Sequence, residues 1–193
     1  RVDLDEYDVL ILPGGWGYRQ FLTAERKAAL NQLVAEGGRL IAMGNALSAL
    51  GGDGGFGIRR KENGSSDTII PPRYAETRRD RIRESITGVI FKTNVDATHP
   101  LAFGYGDSYF TLKLGSTAYE LPGRGTVASL GEAPLPVAGF AGSEALKNLP
   151  SSLVFGVENH GSGAVIYMAD NPLFRGFWEN GKLFFANALF MLD

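Results

Sequence analysis

At 193 residues the chain is long enough for one domain with a sizeable core, and 44% of it is hydrophobic. A formal charge of −2 offers no general attraction to nucleic acid or an anionic membrane, and no apolar run approaches the roughly 20 residues that span a bilayer. Cysteine is absent, which excludes disulfides, a thiol nucleophile and zinc–thiolate sites.

The chain opens at Arg1, without Met or a signal peptide, and enters a core-type strand within a few residues, so a piece of a longer protein is expected. Residues 7–50 read as one βαβ unit. Residues 8–12 form an apolar run closed by Pro13-Gly14-Gly15, the pattern of a strand covered on both faces in a parallel sheet. Thr23 is placed to cap the next helix, Glu25 puts negative charge in its first turn, and Leu30, Leu33 and Val34 share a face before Gly37 ends it. Residues 39–43 form the second strand, and Gly44-Asn45-Ala46 turns into a short helix ending at Gly51. A crossover of about two dozen residues fits a parallel pair.

In such sheets ligands gather where strands end and helices begin, because backbone N–H groups there lack partners. Two such turns, at 13–17 and 43–47, are expected side by side. The second is where a nucleophile-elbow enzyme carries its Ser or Cys. Here it carries Gly44 and Asn45, and neither attacks a carbonyl.

Residues 51–75 are rich in Gly, Asp, Ser and Pro and read as a surface loop. The G-x-G-x-x-G match at 52–57 follows a helix instead of a strand, so a loop is favoured over a dinucleotide site. Residues 74–85 read as a charged helix in which Glu76 with Arg79 and Asp80 with Arg83 fall at i,i+3, a solvated or interdomain face more than a nucleic-acid contact. Val89-Ile90-Phe91 is a strand core; Thr98 is placed to cap a short turn begun by Pro100, with Leu101 and Phe103 inward. Short strands follow at 109–114, 126–130 and 135–140, then a brief helix at 143–149 and a hairpin of 152–158 with 163–170. A loop with Phe174, Phe177 and Trp178 reads as core packing, or as a sugar or partner platform. The last helix spans about 180–192, with a stripe of Phe184, Ala188 and Met191 widened by Leu183, Ala186 and Phe190.

His99 and His160 are the only imidazoles, H-x-x-E is absent, and a catalytic zinc site would need a carboxylate as third ligand; no metal or cofactor is expected. His99 is expected to pin its loop by a hydrogen bond and His160 to sit exposed in a turn. Ser48 lies one helical turn beyond the strained elbow position. Asp170 and Glu158, on facing strands, read either as an acid–base pair or as charged strand ends.

Taken together, these stretches resemble the class I glutamine amidotransferase-like fold, and more specifically the domain C-terminal to the peptidase domain in certain bacterial zinc carboxypeptidases of the carboxypeptidase A type. Residues 7–15, 37–44, 86–91 with 96–105, and 168–178 carry the resemblance. Its most specific parts are Thr-His-Pro-Leu-Ala-Phe-Gly-Tyr at 98–105 and Met-Ala-Asp-Asn-Pro-Leu-Phe-Arg-Gly at 168–176. It implies a three-layer, flavodoxin-like α/β fold: a mostly parallel sheet with an added antiparallel hairpin, and N-terminal strands upstream of Arg1. It also implies an oxyanion-hole loop at Gly14 and Gly15, a nucleophile seat at Gly44 beside Asn45, and a late-strand histidine seat near Asp170 and Asn171.

Both reactive members of that triad are missing here. The resemblance therefore implies a non-catalytic accessory domain of a secreted or periplasmic zinc carboxypeptidase-like protein, partnered by the upstream peptidase domain of the same chain. A peptide or sugar ligand would sit at Gly14, Gly15, Trp16, Gly44, Asn45 and Asp170. The alternatives are an enzyme of unassigned chemistry using Asp170, Glu158 or Ser48, and an interaction module using the Arg-rich helix and terminal aromatics.

Overall fold

The computed structural model describes residues 4–52, 55–62 and 74–191. Its centre is a pair of strands, β2 (Arg39–Met43) and β8 (Gly163–Met168), apolar except for Arg39 and the Tyr167 hydroxyl and buried on both faces. Alternation divides them. Leu40, Ala42, Val165 and Tyr167 face α2 (Ala24–Ala35) and α3 (Asn45–Leu50), whereas Ile41, Met43, Ile166 and Met168 face α6 (Glu179–Phe190). Three layers result, helices on each side of one sheet.

β1 (Val9–Leu12) pairs parallel with β2, and β2 with β8. The crossover works as expected: Thr23 Oγ1 accepts from Arg26 N at 3.4 Å, Leu30, Leu33 and Val34 are buried, and Gly37 takes φ 116° at the helix end. Beyond β8 come β7 (Leu153–His160), β5 (Thr126–Ser129), β3 (Ile86–Val95) and β4 (Ser108–Lys113), with β6 (Pro136–Ala141) also beside β3. All five of these other pairings are antiparallel. The α/β, flavodoxin-like layering stands, but the expected predominance of parallel pairing is corrected to a mixed sheet. Short turns such as Gly161-Ser162 join the later strands, and a tight turn can only reverse the chain.

Three local expectations change. Phe103 is 65% exposed while Leu101 is fully buried, and the cap of the Pro100–Ala102 turn is His99, whose Nδ1 accepts from Leu101 N at 3.1 Å. Thr98 instead donates to Asp96 Oδ1. The buried stripe of α6 is Gly181, Phe184, Asn187 and Ala188, because Asn187 turns inward to donate to the carbonyls of Leu101 and Phe103; Phe190 is left 78% exposed. Segment 55–62 is more than a surface loop, since Phe56 and Ile58 are buried. Asp53, Gly54, residues 63–73 and the Glu76 side chain lie outside the described residues, while Asp80 and Arg83 of α4 (Tyr74–Glu84) do pair, at 3.7 Å.

The 98–105 motif is thus a bracket for α6. Tyr105 stacks on Phe184 with centroids 3.9 Å apart, donates to Asn180 O and accepts from Phe184 N; burial pushes its phenol up to about 12.

Gly181→Ala is expected to destabilise by about 1–3 kcal/mol in urea denaturation, although alanine is the better helix former, because a Cβ there would lie 2.2 Å from Pro172 O. Desolvation, only partly offset by the Asp96 carboxylate, holds the His99 imidazole below its ordinary 6.5. The neutral ring is the folded form, so stability from it is full above pH 6.5, declines as pH falls below that value, and levels off once the folded ring protonates. Thermal melts across that range should show this decline, and His99→Asn, which keeps an acceptor, should flatten it.

Candidate functional site

The ends of β1, β2, β8 and β4 enclose a cleft of about 710 Å³. Its lining includes Gly14, Gly15, Trp16, Gly44, Asn45, Asp170 and Asn171, all brought together as the sequence suggested. The two turns are indeed adjacent: a Cβ built on Gly44 would meet Gly14 Cα at 3.8 Å. Tyr18, in the short helix α1 (Tyr18–Phe21) that the sequence reading missed, pins the first turn by donating to Pro13 O at 2.7 Å.

Gly44 has φ 54° and ψ −121°, a strained strand-to-helix turn, and its N–H donates to Met168 O at 2.8 Å. The backbone of an elbow is present without a side chain to attack. Asn45 is exposed beside it.

The late-strand position is occupied differently from an acid–base site. Asp170 Oδ2 accepts from Thr111 Oγ1 at 2.8 Å and Oδ1 from Lys113 Nζ at 3.2 Å, with the Lys113 and Asp170 side chains only 4% and 9% exposed. Asn171 Oδ1 accepts from Leu173 N, fixing its own turn. The proposed pairing of Asp170 with Glu158 is corrected. Glu158 lies opposite Val165, five residues back along β8, where it accepts from Gly57 N and from Tyr167 OH at 2.5 Å.

Ser48 is 2.7 Å from Tyr119 OH, and both line the cleft. Burial raises the Tyr119 phenol, so it stays protonated at neutral pH and makes a poor base. Trp16 does not fill the cleft; it stands 96% exposed at its wall, while Phe174 lines it and Phe177 is 60% exposed. His160 ends β7, part-buried, 6.3 Å from the Phe56 ring, and His99 belongs to the α6 bracket. No group of three His, Asp or Glu suited to a metal occurs among the described residues, and no described helix is long and apolar enough to cross a membrane.

Lys113, Thr111 and Tyr119 were not singled out from sequence. A signal existed for two of them: in Tyr109-Phe110-Thr111-Leu112-Lys113 the odd positions share a face that Tyr109 marks as inward. Their partner, Asp170, lies 57 residues from Lys113.

The sequence matches no family model and no curated protein. Among solved structures, a ThuA-like protein from Parabacteroides merdae superposes with TM-score 0.57 at 13% identity, over 98% of this chain and 72% of its own. The fold is class I glutamine amidotransferase-like. A cytoplasmic protein from Salmonella typhimurium has TM-score 0.53 at 13% identity, over 98% of this chain and 74% of its own. A β-galactosidase from Bacillus circulans sp. alkalophilus has TM-score 0.50 at 18% identity over 97% of this chain, which spans only 23% of that enzyme. At these identities the likeness concerns the fold.

Lys113→Ala is expected to lower stability by about 3–5 kcal/mol in chemical denaturation, because it strands a buried carboxylate; Asp170→Asn, which keeps the Thr111 hydrogen bond, should cost less.

Proposed function

We propose that this chain is a non-catalytic accessory domain of a larger hydrolase, using its cleft to hold a polar ligand. The observation that carries this reading is the Gly44 turn, elbow-shaped and without a nucleophile, facing an Asp170 already fastened to Lys113. Loss of a nucleophile or its base removes about 10⁶-fold of a hydrolase's rate, and the amides of Gly14 and Gly15 cannot replace it.

The parent enzyme in this proposal is a zinc carboxypeptidase-like protein, secreted or periplasmic, on the strength of the motifs at 98–105 and 168–176. Zinc chemistry would belong to the parent's peptidase domain, with which this domain would pack. That solved neighbours include a much longer enzyme carrying the same fold supports a role as a module.

A second reading, hydrolysis by Ser48, draws on its short contact with Tyr119 inside the cleft. Its weakness is chemical: among the described residues the hydrogen-bond partner of Ser48 is Tyr119, which holds its proton, and the Asp170 carboxylate is paired with Lys113.

Ammonia release from glutamine and peptide amides, with ester hydrolysis alongside, is expected to stay at the buffer background. Gly44→Cys has room for its Cβ, should cost about 1–2 kcal/mol from its positive φ, and should label with thiol reagents yet release no ammonia. Turnover by the wild-type chain that Ser48→Ala or Asp170→Asn abolishes would overturn the reading.

A further inference from the structure

The cleft wall holds an arrangement that the domain's internal packing does not use up. Lys113 Nζ carries three N–H donors, and among the described residues Asp170 is its one hydrogen-bond partner. Asp170 offers about four lone-pair sites and spends two, on Thr111 and Lys113. Both side chains are more than nine-tenths buried and both line the same cleft. A buried ammonium with donors left over beside a buried carboxylate with acceptors left over is able to hold a partner that both gives and takes hydrogen bonds.

Charge narrows the class. Asp170 cancels Lys113, so an anion drawn to this ammonium would meet the carboxylate as well; among the described residues Arg19 is the one other charged lining residue. A vicinal diol has no such conflict. One hydroxyl oxygen accepts from Lys113 Nζ while its neighbour donates to Asp170.

Trp16 supplies the second, independent observation. Trp16, 96% exposed on the cleft wall, has its indole free of packing within the domain and therefore open to an occupant, and Phe174 lines the same cavity. Polar groups at the floor and an aromatic plane at the opening match a ring with hydroxyls on its rim and C–H bonds on its face. A volume of about 710 Å³ lies within the range of small-molecule sites.

From this juxtaposition we infer that the cleft binds a short neutral saccharide, its ring stacked on Trp16 and a vicinal hydroxyl pair held by Lys113 and Asp170. This deepens the accessory-domain reading and rests on it for the cleft's being a binding site. The two fail separately: amide turnover would end the non-catalytic reading, and only binding data bear on the saccharide.

The test is an NMR titration of the whole chain with lactose, cellobiose and chitobiose, with alanyl-alanine and inorganic phosphate as parallel arms. The two indole N–H signals are distinguished by Trp16→Phe. At least one disaccharide is expected to shift the Trp16 signal saturably, and Trp16→Ala, at an exposed position that leaves the fold intact, should weaken binding about tenfold. Lys113→Met and Asp170→Asn should weaken it further, with amide spectra reporting whether each still folds. Three results would overturn the inference: no disaccharide response up to about 20 mM, binding indifferent to Trp16→Ala, or saturation by the dipeptide or phosphate alone.

Discussion

Double-sided burial of β2 and β8 is the constraint on which the remaining architecture rests. Leu40, Ile41, Val165, Ile166 and Tyr167 are all fully buried, so a slip of one residue between these strands would exchange the contents of two cores. Their register sets Met43 beside Met168, and the chain therefore leaves both strands at one level. Gly44 and Asp170 reach the same rim for that reason, and the hydrogen bond from Gly44 N to Met168 O ties the elbow to the strand that delivers Asp170.

What the rim then holds is an elbow-shaped turn without a nucleophile. The turn at Gly44 keeps a backbone conformation that is costly for other residues, though no nucleophile there requires it. Across from it, Lys113 reaches in from β4 and neutralises the carboxylate that would otherwise be the natural acid–base candidate. A buried ion pair of this kind is weak evidence for stability as such, since apolar residues of similar volume can serve as well. It lies on a cleft wall with hydrogen-bonding capacity left over.

A scaffold of this kind does not by itself specify a reaction. Here the α6 side of the sheet is devoted to structure: His99 caps its turn, Asn187 gathers two carbonyls, and Tyr105 stacks beneath Phe184. Of the two motifs that looked most specific in the sequence, 98–105 thus braces a helix, whereas 168–176 brings Asp170, Asn171 and Phe174 to the cleft.

The βαβ unit, the Gly44 elbow without a nucleophile, the closing hairpin and the role of His99 as a pin were all legible from the chain alone. Each depends on residues within a few positions of one another or on a period of two or 3.6, and local geometry is written in local sequence. The reversal from a mostly parallel to a mixed sheet was not legible, because strand order is set by which apolar faces find each other across the whole domain. The same holds for Lys113 with Asp170, for Ser48 with Tyr119 and for the distance between Glu158 and Asp170. The first two join residues 57 and 71 positions apart and the third depends on the register of the hairpin, so only the packed sheet, by deciding which strand ends share a rim, brings these residues together or holds them apart.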